Sequence, residues 1–449
     1  MDNRVVRAMT LSLRDKTTVA MVFAYWLLYE NTVFLTADSY GGAPFLLAVN
    51  ALKILLPIIL LFTCGLPSGR LLRRHPVGPY VWIFVLFLGW ALVPTLVSGS
   101  LADWVKLLPR FVFFVSVLAL FASKPRVFRA FAKLMIVYVV LALVQWVLVY
   151  LTGAESSLGT REGFYFMAGP FGLLGNINAA FRVPGLNFSF IRLCGFWNEP
   201  SNAAGSAYAA FYLCRYLVAV GERPVWRTAS YACLAAGLLT LSTAGYFALG
   251  STLLVSPLLA ASRLTLRELT RKLAPLSIGI GLLLLVVYGR AYVFENAGDN
   301  PWLSAIVGVR GASATASFDA SDGRLGMLLR TVATAKQTFI GVGVQEVGSR
   351  GIEGSGTAPV FWLLLTGFPG LALLLARETV LFFAVRSLIR EQPLTLPLVQ
   401  ALVAVMAQHL SYGTWMNPNY FVLAAMVLVT AHRAMHPVVQ SRTPESAPV

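Results

Sequence analysis

Long apolar runs recur along this chain, as at residues 80–97 and 137–151, and polar residues gather between them. Runs of about 17–25 apolar residues are long enough to cross a bilayer as helices. The pattern predicts an all-α, polytopic membrane protein with about twelve transmembrane helices (11–13). They fall at residues 19–35, 44–64, 79–97, 111–122, 134–152, 201–220, 228–241, 244–261, 273–290, 358–376, 394–411 and 418–432. Residues 1–436 read as a single transmembrane helical domain. Residues 437–449, polar and proline-containing, read as a disordered tail.

Two segments between spans, 153–200 and 291–357, are too long for simple turns. Loops of that length in a compact architecture are usually functional or disordered. Neither has the low apolar content of a disordered segment, so both are expected to fold against one membrane face. In the second, Asp322 is placed to cap a helix whose apolar positions Leu325, Leu328, Leu329, Val332, Ala335 and Phe339 share a stripe. Arg324, Arg330 and Lys336 lie off that stripe, which predicts an amphipathic helix on the bundle or at the interface. It ends before the turn Gly341-Val-Gly343.

Composition agrees with the pattern: 57% of residues are hydrophobic and 12% charged, against about 25% charged in a soluble domain. A net charge of +16 raises the question of nucleic acid, and the placement of the charges answers it. With the N-terminus inside, the inner segments hold 22 Lys/Arg and 7 Asp/Glu, and the outer segments hold 11 of each, Arg290 being counted with the outside. This is the positive-inside asymmetry. It predicts a multi-pass membrane protein with both termini cytoplasmic and anionic-lipid contacts on the inner side, and no nucleic-acid partner. The N-terminal Arg4, Arg7, Arg14 and Lys16 precede a span that carries Glu30 and lacks a clear cleavage site, so it reads as an uncleaved helix rather than a signal peptide. Cys64, Cys194, Cys214 and Cys233 show no metal-ligand spacing, and no disulfide framework, metal site or cofactor is expected. Glu30 and Lys53 fall within the first two spans, where mutual pairing would offset burial. Trp302, Trp362, Trp415 and Tyr420 fall near outer span ends and read as interface anchors.

The densest chemistry lies in Arg192-Leu-Cys-Gly-Phe-Trp-Asn-Glu-Pro-Ser201, where a polar segment re-enters an apolar span. Glu199 precedes Pro200, which suits a first helical turn, and the helix dipole stabilises a carboxylate there. Glu199 is therefore either a simple cap or an ionisable group held at the membrane surface, where such groups tend to mark substrate paths. A second candidate stretch is Ser321-Asp-Gly-Arg324 leading to Gly341-Val-Gly343, and a third is the small-residue break Leu241-Ser-Thr-Ala-Gly245. The inner segments are short. The longest, 377–393 with Arg377, Arg386 and Arg390, has no room for a nucleotide-sugar domain, and no P-loop or dinucleotide fingerprint is present. An activated sugar would therefore have to be lipid-linked.

The pattern R-x-x-G-x-x-x-E-P-S, followed about 125 residues later by the Ser321–Arg324 and Gly341–Gly343 stretches, resembles the bacterial O-antigen and exopolysaccharide polymerases and O-antigen ligases. The likeness covers roughly residues 130–380. It implies an integral-membrane glycosyltransferase, similar to the GT-C-like enzymes, that acts on undecaprenyl-pyrophosphate-linked oligosaccharides at the outer face. Membrane lipids, a chain-length regulator and a flippase are its implied partners. Many ligases carry a histidine before the span that follows the large loop. Here residues 354–361 contain none, and only His409 is expected near the outer face.

Guanidinium groups bind phosphate oxygens bidentately and stabilise charge that grows in a dry cleft. Arg192 and Arg324 are the candidate catalytic arginines, with Arg310, Arg330, Asp322 and His409 as further substrate-binding candidates. Glu199 is the first candidate to take the acceptor's proton, with Asp322, Glu346 and His409 behind it, or it orients Arg192. Alternatives to polymerisation are ligation to a lipid A core, transport of lipid-linked sugars, and a non-catalytic assembly role.

Overall fold

The computed structural model describes residues 12–30, 37–98, 101–151, 165–168, 174–177, 180–182, 189–191, 193–197, 200–260, 333, 339–343, 358–411 and 416–436. Their main elements are α1 Leu13–Glu30, α2 Ala37–Cys64, α3 Gly69–Arg73, α4 Val77–Ser98, α5 Leu101–Val105, α6 Leu108–Ser123 and α7 Pro125–Leu151. There follow α8 Pro200–Ala219, α9 Val225–Leu239, α10 Thr243–Ala260, α11 Ala358–Glu391, α12 Leu396–Ser411 and α13 Pro418–Met435. Among the described residues, helices stand at eleven of the twelve places that the apolar pattern predicts; the place at 273–290 lies outside them. Among the described residues, five stretches are long and apolar enough to cross a membrane: Ala43–Cys64, Val77–Ser98, Pro125–Leu148, Ala358–Glu391 and Pro393–Leu410.

The first long loop departs from a purely helical reading. It carries two antiparallel hairpins, Tyr165–Ala168 with Leu174–Ile177 and Ala180–Arg182 with Ser189–Ile191. Aromatic and β-branched residues such as Tyr165, Phe166, Phe190 and Ile191 favour the pleated backbone. In the second long loop, the helix expected from Asp322 and the tail 437–449 lie outside the described residues.

Helix α13 is the hub. Residues 418–429 are all buried, and α6, α11, α12 and α1 pack against it. On the other side α8 is enclosed by α7, α9, α10 and α12. Helix α2 is the opposite case: Leu47, Leu55, Ile59 and Phe62 point outward, as suits a wall facing lipid. Polar contacts form one rim of the bundle. Arg14 donates to the Thr63 carbonyl at 2.7 Å, Lys124 meets Asp15 at 2.5 Å, Lys133 meets Glu222 at 2.7 Å, and Arg433 donates to the Ala122 carbonyl at 2.7 Å. The same groups form the inner side of the topology read from the charges.

Helix α11 corrects that topology at one place. The segment 377–393 was expected to be an inner loop, yet the helix runs on to Glu391 and Arg377 is fully buried. The reason is local neutralisation. Arg377 Nε donates to Glu378 Oε1 at 2.8 Å, and the Tyr420 hydroxyl donates to Glu378 Oε2 at 2.5 Å. The Tyr80 and Tyr420 hydroxyls are 2.9 Å apart, and the guanidinium lies over the Phe84 ring at 4.8 Å. A buried ion pair persists only when its remaining groups are hydrogen-bonded, and this one ties α11 to α4 and α13.

Candidate functional site

The segment 193–197 shows how the first motif is seated. Leu193 N–H donates to the Leu239 carbonyl at 3.0 Å, and Trp197 N–H closes a turn onto Cys194 O at 3.1 Å. Gly195 has φ +57, and a Cβ there would lie 2.5 Å from Ala142 Cβ. Both the left-handed backbone and the close approach to α7 require glycine. Leu193, Cys194, Phe196 and Trp197 are buried, and the Trp197 ring sits 5.0 Å from Tyr138 and 6.4 Å from Trp26. Pro200 then opens α8, as the sequence predicts. Arg192 and Glu199 lie outside the described residues.

One turn into α8 a buried polar layer begins. Gln408 Nε2 donates to Asn202 Oδ1 at 3.0 Å, Asn419 Nδ2 donates to Ser206 Oγ at 2.9 Å, and Trp26 Nε1 donates to Asn419 Oδ1 at 2.7 Å. Gly205 leaves the space that Gln408 occupies: a Cβ there would be 2.9 Å from Gln408 Cγ. The layer couples α8 to α12, α13 and α1 through satisfied amides, which specify packing more sharply than apolar contacts do. His409, next to Gln408 in the last turn of α12, is 2% exposed, with no hydrogen bond at Nδ1. It is the one substrate-binding candidate among the described residues, and it is enclosed rather than open to the surface.

The second motif explains its own glycines. Gly341 and Gly343 have φ +90 and +74, and the segment lies against a break in α11 at Gly367, whose φ is +66. Pro369 has no N–H to offer Leu365, and the Phe368 N–H donates out of the helix to Phe339 O at 3.1 Å. The freed carbonyls are taken up by neighbours: Val342 N–H donates to Leu364 O at 2.9 Å, Gly343 N–H to Leu365 O at 3.3 Å, and Trp90 Nε1 to Thr366 O at 2.7 Å. Non-helical backbone is tolerated at membrane depth only when other protein groups satisfy it in this way. Asp322, Arg324, Arg310 and Arg330 lie outside the described residues. The described parts of the two motifs rest on different helices, the first on α1, α7 and α9 and the second on α4 and α11. The third stretch is a break between α9 and α10, with Leu241 at φ 44 and Ser242 Oγ accepting from the Gly245 N–H at 3.4 Å.

Two other expectations change. Trp362 and Tyr420 are 2% and 0% exposed, packed against Phe87 and within the Glu378 cluster, so they are core residues rather than interface anchors. Trp302 and Trp415 lie outside the described residues. Glu30 does not pair with Lys53; its buried carboxyl faces the Trp197 indole instead.

Lys53 has a different neighbour. Its Nζ and the Arg110 guanidinium each lie 5.1 Å from the Tyr29 ring centroid, so the two cations are separated by no more than twice that distance. Neither has a carboxylate partner among the described residues, and Arg110 Nε is buried without an acceptor. Two unit charges about 10 Å apart repel by about 1.7 kcal/mol at an effective dielectric of about 20. Contact with the ring, about 0.5–2 kcal/mol per cation, opposes this repulsion. The sequence reading missed Arg110 because it counted it as a loop charge. The signal was the shortness of α6: the Trp104 indole donates to Leu88 O at 2.9 Å, so the chain folds back about 15 Å along α4 before α6 begins. Arg110 therefore stands about 21 Å of helix from Lys124 on the rim.

Compared with known proteins, the chain matches no family model, and no curated protein matches it significantly.

Proposed function

We propose that this protein polymerises undecaprenyl-pyrophosphate-linked oligosaccharide repeat units into O-antigen or exopolysaccharide at the outer face of the bacterial inner membrane. A hydroxyl of one lipid-linked unit attacks the anomeric carbon of the other chain. The bond from that carbon to the pyrophosphate oxygen breaks, undecaprenyl pyrophosphate leaves as an anion, and the hydroxyl proton passes to a base. Arg192 and Arg324 stabilise the leaving pyrophosphate, Arg310 and Arg330 add binding, and Glu199 takes the proton or orients Arg192.

The observation that carries this reading is the order and spacing of the two motifs in the sequence. What supports it is that both are seated on the helical body through positions only glycine can fill, Gly195 against α7 and Gly341 against the break in α11. A transporter reading asks for a polar path through the helices; Trp26, Asn202, Ser206, Gln408 and Asn419 are instead bonded in pairs across α1, α8, α12 and α13.

The test is polymer formation by Arg192→Ala and Arg324→Ala variants at unchanged membrane levels. Each abolishes product, and lysine at either place rescues poorly because it offers a point charge without the fork. Normal polymer from both alanine variants refutes the reading. Adding a lipid A core acceptor to the same assay separates polymerisation from ligation.

A further inference from the structure

We propose that Lys53 and Arg110, on either side of the α2–α6 seam and sharing the Tyr29 ring, form a binding site for a lipid-borne phosphate. Three observations carry it. The two cations lie over one ring with no carboxylate partner among the described residues. Like charges drawn together in a region of low dielectric favour an anion between them, since no carboxylate of the described residues supplies the countercharge. Arg110 Nε is buried and lacks an acceptor, although the guanidinium is built to donate in a fork. The residues around the site complete a dry wall: Tyr25 stacks on Phe113 at 4.2 Å, and its hydroxyl donates to that of Tyr29 at 3.4 Å.

Access is from the bilayer. Lys53 is half-buried, while Leu52, Ile54 and Leu55 beside it on α2 are 43–50% exposed. A lipid can therefore lie along α2 with its chains against those residues and its phosphate turned in toward Lys53 and Arg110. The depth fits a headgroup drawn below the surface rather than a soluble ion, for the helix preceding Arg110 has already folded back to Leu88. Two phosphates share this chemistry, that of a bilayer glycerophospholipid and that of a polyprenyl pyrophosphate. The inference does not require the polymerase reading, because it is tested by lipid retention rather than by product.

The experiment uses the full chain, purified and delipidated in detergent, with native mass spectrometry to count retained lipids. The probes are phosphatidylglycerol, phosphatidylcholine and undecaprenyl pyrophosphate. Wild type is expected to retain at least one of the two anionic lipids over phosphatidylcholine. The double variant Lys53→Gln, Arg110→Gln should lose that retention by about 10–100-fold, the scale of a lost charge-assisted contact. Competition between the anionic lipids identifies the source: phosphatidylglycerol displacing undecaprenyl pyrophosphate at equal concentration marks a headgroup site, and failure to displace marks a carrier site. Unchanged retention in the double variant, or equal retention of phosphatidylcholine by wild type, overturns the proposal. A second measurement guards against misfolding. In lipid-free detergent, Arg110→Gln should melt close to wild type, because the relieved repulsion and the lost contact with the Tyr29 ring oppose one another. If it melts well below wild type, the guanidinium is a packing element and the proposal falls.

Discussion

Replacing Gly341 by alanine puts the docking of the second motif under direct strain. The new Cβ would lie 2.5 Å from Leu365 O and 2.6 Å from Gly367 N, both backbone atoms that no side-chain rotation can move. A left-handed backbone costs a residue with a Cβ about 1–2 kcal/mol. Displacing the loop also breaks Val342 N–H to Leu364 O and Gly343 N–H to Leu365 O, each worth about 0.5–1.5 kcal/mol net and more where the carbonyl is left unpaired away from water. The docked segment should therefore lose about 3 kcal/mol, or roughly two orders of magnitude in its docked-to-released ratio. The assay is maleimide labelling of a cysteine at Val342, which is 6% exposed, in a background without the native cysteines. The labelling rate should rise about 100-fold when Gly341→Ala is added. The control is Gly89→Ala on α4, where a Cβ meets nothing within 4 Å; it should leave labelling unchanged and stabilise the helix by up to about 1 kcal/mol. Equal labelling rates with and without Gly341→Ala would refute the claim that the loop is held by backbone contact at the helix break.

Other expectations are as direct. Glu199→Gln should slow turnover about 10²–10⁴-fold if Glu199 is the base, keep most activity if it only orients Arg192, and change stability alone, by about 0.5–2 kcal/mol, if it is a cap; rates per folded enzyme separate the three. Arg377→Ala leaves Glu378 buried without its cation and should destabilise by about 3–5 kcal/mol, while Arg377→Met with Glu378→Leu should regain most of that loss in thermal melts. At the rim, the hydrogen bond from Lys124 holds the Asp15 carboxyl below its ordinary range. A lowered carboxyl stabilises the fold above its unfolded pKa, and that stability is lost as pH falls through the folded one. Because the pair is partly solvent-exposed, Lys124→Ala should narrow the acid-dependent fall in melting temperature by less than about 1 kcal/mol equivalent, and high salt should hide the difference. Thiol labelling from outside intact cells should reach cysteines introduced at Ser157 and Ser313; labelling only after lysis reverses the topology.

The helical frame was legible in the sequence because apolar runs of bilayer length leave few alternatives, and among the described residues helices stand where the runs do. What escaped was anything that depends on two distant residues meeting. Arg377 and Glu378 read as a loop because hydropathy cannot know that they neutralise one another beneath Tyr420. Tyr420 and Trp362 read as interface residues because position along a span says nothing about which face turns inward. The break at Gly367 had a local signal, Gly367-Phe-Pro369, but the carbonyls it frees are satisfied from Trp90 and Val342, far away in the chain. Lys53 was visible as a charge within a span, whereas its partner was hidden by the fold-back before α6. Of the candidate site, the glycines and prolines that seat the motifs were legible, since backbone conformation is a local property. Where the arginines and carboxylates singled out in the sequence come to lie depends on tertiary contacts, which are not a local property.

Reconstitution of the purified full chain in liposomes with a defined undecaprenyl-pyrophosphate-linked repeat unit tests the central claim most directly. The account predicts a ladder of lipid-linked products that differ by one repeat, with undecaprenyl pyrophosphate released in step with each extension. Folded protein that moves the lipid-linked unit between leaflets, or merely binds it, without forming any longer product would contradict it.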